Sequence, residues 1–414
     1  MQQGEALKDA YDQAYIARLG AALAGSFAEL GLDFDTPGFA AAVFAEECEV
    51  GWSALELKGR MVRIADVLDA VLPDDLAAAI EVLVPVVPEF GGYQAMIFPA
   101  VVELRGMRGI EQQAADGAWG LAVAALARFT EYSSSEFAVR PLILRDQARM
   151  LAEMQRWTAD ANHHVRRLAS EGCRPRLPWA MALPPLKRDP GPLLPILEAL
   201  RDDESEYVRR SVANNLNDIA KDHPNAVLEV AERWLEAGAC SEERRRLVKH
   251  ACRTLLKAGE PRAMRLFGFR DPKNLAIESL ELDRETLKIG DSLEFRFRLV
   301  VRAVGRSRSK TGSVLQTKVG SVSGKKTGSP SVGSAKALGR VRLEYAVYYQ
   351  KKNGTLAPKV FKISEFDSAE TSRDVVRKHA FRELSTRRLH PGPHALELRI
   401  NGVPMARAEF VLEL

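Results

Sequence analysis

Cysteine is scarce, and the few present are poorly placed for chemistry. Four occur in 414 residues: Cys48, Cys173, Cys240 and Cys252. None forms a CxxC pair, and Cys240 and Cys252 have no histidine at zinc-finger spacing. The sequence therefore predicts reduced, buried thiols and no metal site. No apolar run approaches the roughly 18 to 20 residues that cross a bilayer, so no membrane partner is expected. The opening MQQGEALKDAYDQAYIARLG lacks a basic stretch followed by an apolar one. No signal peptide is read there, and a cytoplasmic location is expected. HExxH, P-loop, GxGxxG and GxSxG motifs are all missing, which removes the usual support for metal hydrolases and nucleotide cofactors. No cofactor is expected.

Positive charge is missing from one end of the chain and acid from another stretch. Residues 1–130 hold 8 Lys and Arg against 19 Asp and Glu, whereas the remainder holds 51 against 36. The overall charge of +4 conceals this segregation. A basic surplus gathered in one part of a chain points to a polyanionic partner. Between Glu294 and Glu344 there is no acid at all. Residues 303–341 carry Arg306, Arg308, Lys310, Lys318, Lys325, Lys326, Lys336 and Arg340 among Gly, Ser, Thr and Val. That composition is too polar to pack a core and predicts a flexible basic insertion, either a cationic arm for phosphates or a solvated loop.

What is present divides into two texts. Up to about Phe269 apolar residues recur at helical spacing, as in Leu76, Ile80 and Leu83 or Val227, Val230 and Trp234. An internal repeat is visible. WTADANHHVRRLASEG (157–172) aligns with LRDDESEYVRRSVANN (200–215), and CSEERRRLVKHACRTLLK (240–257) is a degenerate third copy. A period near 40 residues, with an Asp- and Asn-bearing turn before an Arg-bearing helix, predicts HEAT-like units that stack into a solenoid. After Lys273 the pattern becomes alternation: Leu293, Phe295, Phe297 and Leu299 interleave with Glu294, Arg296 and Arg298, and Asn353-Gly354 and Asn401-Gly402 mark turns. The expected fold class is α + β multidomain, an α-helical HEAT-like repeat solenoid (1–272) followed by an immunoglobulin-like β-sandwich (273–414).

Candidate chemistry concentrates in SSSEFAVRP (133–141), WTADANHHVRRLASEGCRPRLPWA (157–180) and YVRRSVANNLNDIAKDHP (207–224). Glu136 sits at an apparent helix start, where a capping-box acid is an equal reading. Glu171 ends a helix, where an acid meets an unfavourable dipole. Asp218 lies among Asn214 and Asn217, uncommon helix-interior residues. Trp179 follows a proline-restrained loop and either plugs a repeat interface or forms an aromatic wall, with Phe137 as a second wall or a core residue. Trp157 and Trp234 read as core. Arg166-Arg167, Arg209-Arg210, Arg174 and Arg176 suit a phosphate backbone or salt bridges to nearby acids. His164 reads as a phosphate contact, not a catalyst.

These blocks, with LELKGRM (55–61) and FGGYQAMIFPAVVE (90–103), resemble the AlkC branch of the AlkD-like DNA alkylation repair glycosylases, specifically members with an appended Ig-like domain. The resemblance implies hydrolysis of the N-glycosidic bond of cationic bases such as 3-methyladenine in duplex DNA, by a monomer associated with the bacterial nucleoid. It implies that Asp218, Glu136 and Glu171 are the active-site acids, Asp218 first and Glu136 close behind. It makes Trp179 the cleft aromatic, and implies a concave helical grip on DNA with little base flipping and a sandwich that closes around the duplex. The competing readings are a non-catalytic HEAT scaffold for DNA or protein, and an adaptor whose Ig-like domain recognises protein; both leave the acid and aromatic set without a task.

Overall fold

A computed structural model describes residues 7–47, 49–112, 115–236, 240–301, 340–367, 372–383 and 388–413. The chain forms two compact units, Met1–Cys252 and Arg253–Leu414. The basic insertion expected over 303–341 lies almost wholly outside the described residues, as does Cys48.

The first unit is helical throughout. Several of its helices begin where the sequence supplies side-chain acceptors for the unpaired first-turn N–H groups. Asp12 caps Gln13–Glu29, Asp75 caps Leu76–Val86, Asp146 caps Gln147–Trp157, Asn162 caps His163–Glu171 and Ser241 caps Glu242–Ala251. The helix Glu206–Ile219 packs between His163–Glu171 and Glu242–Ala251, so the three sequence copies are spatial neighbours. Each buries one stripe: Val165, Leu168 and Ala169 in the first, Val208, Val212 and Leu216 in the second, Leu247, Val248 and Ala251 in the third. Trp157 and Trp234 are buried, as the periodicity predicts. No described helix is long and apolar enough to cross a membrane.

The second unit opens with two short helices, Arg253–Ala258 and Pro261–Leu266. Eight described strands follow: β1 (Leu275–Leu282), β2 (Thr286–Lys288), β3 (Ser292–Val301), β4 (Arg340–Gln350), β5 (Leu356–Asp367), β6 (Ser372–Ala380), β7 (Gly392–Ile400) and β8 (Val403–Glu413). They make a three-stranded sheet in the order β1-β3-β6 and a five-stranded sheet in the order β2-β8-β7-β4-β5. All pairings are antiparallel except β2 with β8. The alternation in β3 holds: Leu293, Phe295, Phe297 and Leu299 point into a core shared with Leu343, Tyr345 and Val347 of β4 and Leu396 and Leu398 of β7. The result is the Ig-like sandwich that the strand pattern predicts.

Both Asn-Gly pairs are turns. Asn401 and Gly402 have φ of 49° and 77°, the left-handed pair of a two-residue hairpin turn between β7 and β8. The same turn fixes the helical preface to the sandwich. A Cβ on Gly402 would lie 2.3 Å from Cα of Gly259, and Asn401 Nδ2 donates to the Arg270 carbonyl at 2.8 Å. This close backbone approach explains why the units divide after Cys252, and not near Lys273 where the text changes from helical to extended: the last two helices pack with the strands.

Candidate functional site

The three candidate acids are brought into one chain of ion pairs within the helical unit. Glu136 lies in the turn before Val139–Arg145; its Oε2 accepts from Ser134 Oγ at 2.9 Å and from Arg167 at 2.8 Å. It therefore makes no capping-box bond. Arg167 also stands 3.7 Å from Glu171, which is 2.6 Å from Arg174. Arg174 reaches across to the next repeat, with Nε and Nη2 at 2.9 and 2.8 Å from Asp218 Oδ2. Lys221 takes the other Asp218 oxygen at 2.9 Å. The order Glu136, Arg167, Glu171, Arg174, Asp218, Lys221 alternates in sign, which is how buried charges avoid the cost of desolvation without a partner.

Exposure separates the acids. The Asp218 side chain is 2% exposed with both oxygens engaged, and Glu171 is 7% exposed. Glu136 is 16% exposed, and its contacts fall on Oε2, leaving Oε1 without a partner among the described residues. Arg174, expected on a phosphate, is instead buried between carboxylates. Burial opposes its charge, but Glu171 and Asp218 outweigh burial and hold its pKa above the usual guanidinium value.

Trp179 is strained and open to solvent. Its φ is +67° and it is 62% exposed, so it does not plug the repeat interface. The loop that carries it is anchored by a residue the sequence reading passed over. Arg140 is fully buried and donates from Nε to the Met181 carbonyl at 2.7 Å and from Nη1 to the Gly172 carbonyl at 2.8 Å. One side chain thus ties the end of the helix His163–Glu171 to the Trp179 loop. Its Nη2 has no hydrogen-bond partner among the described residues, and burial pushes its pKa down to about 10. A charge buried this deeply whose hydrogen-bond partners are carbonyls is costly even with Glu136 and Asp218 acting on it from nearby, which marks the loop as a place the fold holds firmly. The only sequence signal was Arg140 before Pro141 inside an apolar run.

The paired arginines split by position. Arg166 donates to the carbonyls of Asp160 and Ala161 at 3.0 and 2.9 Å, and Arg209, one repeat on, donates to those of Asp203 and Glu204 at 2.5 and 2.8 Å. Arg166 is also buried against the Asp203 carboxylate at 2.7 Å, the salt-bridge alternative. Of the second members, Arg167 enters the acid chain, while Arg210 is exposed and paired with Glu206 at 3.0 Å. Arg176 forms a two-pronged pair with Asp222 at 2.6 and 3.1 Å and makes no hydrogen bond to the acid chain among the described residues.

Aromatic groups crowd the same area. Tyr207, which no local sequence pattern marks, lies beneath the Arg167 guanidinium at 4.6 Å. His163 and His164, the first two residues of their helix, contact its ring edge-on at 6.2 and 5.7 Å. Burial, then the His163 and Arg167 charges, push the His164 pKa down, which favours its neutral form over a cationic phosphate contact. Phe137 is half-buried under Lys58, whose Nζ stands 5.6 Å from the ring centroid. Over Trp179 no cation lies among the described residues.

Comparison with known proteins finds relatives for both units. Residues 118–255, which contain every acid of the chain of ion pairs, match the family described as DNA alkylation repair enzyme, and residues 313–414 match the YhaZ C-terminal Ig-like domain. The chain is similar to the alkylpurine DNA glycosylase AlkC of Pseudomonas fluorescens, solved bound to DNA containing an abasic site analog. The TM-score is 0.81 at 31% identity, covering 99% of this chain and 100% of that one. It is 36% identical over 397 residues to the uncharacterized protein YhaZ of Bacillus subtilis (strain 168), covering 96% of each. With that likeness running through both units, the chain belongs to the DNA alkylation repair enzyme family, in the group that carries a C-terminal Ig-like domain.

Proposed function

We propose that this protein is a DNA glycosylase that hydrolyses the N-glycosidic bond of cationic alkylated bases, 3-methyladenine above all and 3-methylcytosine with it, in duplex DNA. It acts as a monomer, associated with the nucleoid. The observation that carries the reading is the alternating chain of Glu136, Glu171 and Asp218, open to solvent at Glu136 Oε1.

An N3-alkylated base is already a good leaving group: it departs with the bonding electron pair as a neutral molecule. The sugar is left with oxocarbenium character, and water adds at C1′, losing a proton to give the abasic site. The residues need only stabilise positive charge and orient the water. Glu136 offers the accessible oxygen for both tasks. Asp218, favoured by the family resemblance, contributes negative potential from behind and fixes Arg174, and with it Glu171. The uncovered face of Trp179 supplies cation–π attraction that a neutral base would not share.

The test is release of methylated bases from alkylated duplex DNA by wild type, Glu136→Gln and Asp218→Asn. Wild type releases 3-methyladenine, and each variant is slower by at least about 100-fold, the scale of one well-placed electrostatic group. Full activity in Asp218→Asn with loss in Glu136→Gln would move the whole catalytic role to Glu136. No release by wild type that still binds DNA would sink the enzyme reading in favour of the scaffold.

A further inference from the structure

Around the acid chain, most cations are already committed. Arg167 and Arg174 hold carboxylates, Lys221 holds Asp218, Arg176 holds Asp222, and Arg140 holds two carbonyls. Lys58 is different. It is exposed, it lies over Phe137, the residue after Glu136, and it has neither a carboxylate nor a carbonyl partner among the described residues. It comes from the first turn of the helix Leu57–Val71, far from Phe137 in sequence. A cation there faces the positive end of the helix dipole, so helix stability does not account for it. The nearest acid in sequence, Glu56, is taken by Lys8 at 2.9 Å.

We propose that Lys58 is a substrate-binding residue that takes a phosphodiester oxygen of the DNA backbone beside the lesion. The proposal rests on the glycosylase reading and extends it to a residue outside the repeat arginines. Contact with the base itself is disfavoured, since an ammonium would repel a cationic base and the developing sugar cation. A phosphate both satisfies Lys58 and neutralises it over Phe137, the residue after Glu136. The exposed cation–π contact with Phe137 is weak enough to be exchanged for a charged partner, and it holds the ammonium in place before DNA arrives.

Phosphate neutralisation has a signature that a structural lysine lacks: it releases counterions. The full chain, as wild type, Lys58→Ala, Lys58→Gln and Lys58→Arg, is titrated with a duplex carrying an abasic-site analogue from about 50 to about 200 mM salt. Lys58→Ala and Lys58→Gln should bind about tenfold more weakly at the low-salt end, with the slope of log K against log salt reduced by about 0.9. Lys58→Arg should restore the slope, and single-turnover base release at saturating protein should match wild type in all three. Unchanged slopes in the Ala and Gln variants would overturn the proposal, as would a slower saturated rate with an unchanged slope. Wild type that does not bind the duplex would overturn the glycosylase reading itself, whereas wild type that binds beside variants of identical slope overturns this inference alone.

Discussion

The helices His163–Glu171 and Glu206–Ile219 carry the same Val-Arg-Arg, and the structure uses the two arginines differently. The first arginine repeats its role: Arg166 and Arg209 each reach back to two carbonyls in the turn before their own helix. The second diverges. Arg167 is drawn between Glu136 and Glu171 and stacks on Tyr207, while Arg210 stays in solvent with Glu206. Duplication has thus preserved what builds a repeat and left the adjacent position free for the site. The difference arises because helix neighbours point about 100° apart, one toward the inter-repeat turn and one toward the face where the acids gather.

Four substitutions and one titration would break or sharpen this comparison. Arg166→Ala should cost most in stability, about 3 kcal/mol, because it strands the buried Asp203 carboxylate; urea unfolding measures it, and a midpoint equal to wild type would remove the structural role. Next comes an acid from outside the network. Glu103 of the helix Ile97–Glu111 is not in the acid chain, and burial alone raises its pKa from 4.5 to about 7. A raised acid pKa means the folded state keeps its proton longer than the unfolded chain. Its contribution is complete below about pH 4.5 and is lost as pH rises through 7, by up to about 3 kcal/mol. Wild type should therefore gain stability relative to Glu103→Gln on going from pH 8 to pH 5; parallel pH profiles would refute the burial argument. Arg167→Ala, which takes the cationic partner from the largely buried Glu136 while Glu171 keeps Arg174, should cost about 1 to 2 kcal/mol of stability and slow base release about 100-fold, equivalent to about 2.7 kcal/mol of barrier. Arg209→Ala, which loses carbonyl bonds but strands no carboxylate, should cost about 1 kcal/mol. Arg210→Ala should leave both the midpoint and the saturated rate as they were, since exposed pairs of this kind add little.

Much of this architecture was legible because it rests on short periods. The spacing of Leu293, Phe295, Phe297 and Leu299 identified β3 and its inward face, the Asn-Gly pairs marked hairpins, and the 43-residue offset of the Val-Arg-Arg blocks aligned two helices that do pack together. The acids Glu136, Glu171 and Asp218 were singled out one by one, and the structure brings them into one chain of ion pairs that was not foreseen. Arg174 could not be read as the bridge to Asp218, because that contact spans 44 residues and depends on how one repeat stacks on the next. Nor could local pattern show that Arg140 turns inward to hold the Trp179 loop, or that Lys58 arrives over Phe137 from an earlier helix. Position along a helix fixes a face, but only tertiary packing fixes what that face meets.

The seam between Gly259 and Gly402 has a consequence for the order in which the protein can be made. Helical repeats contact their sequence neighbours, so each can settle as it leaves the ribosome. The two helices after Cys252 cannot: the turn they pack against is synthesised about 140 residues later, which at 5–20 residues per second is a wait of roughly 7 to 30 s. During that interval the nascent chain carries buried-type side chains such as Met264 and Phe269 without their strands. The last hairpin of the sandwich is therefore the step that ends the chain's exposure, and a turn slow to close at Asn401-Gly402 would prolong it for the whole second unit.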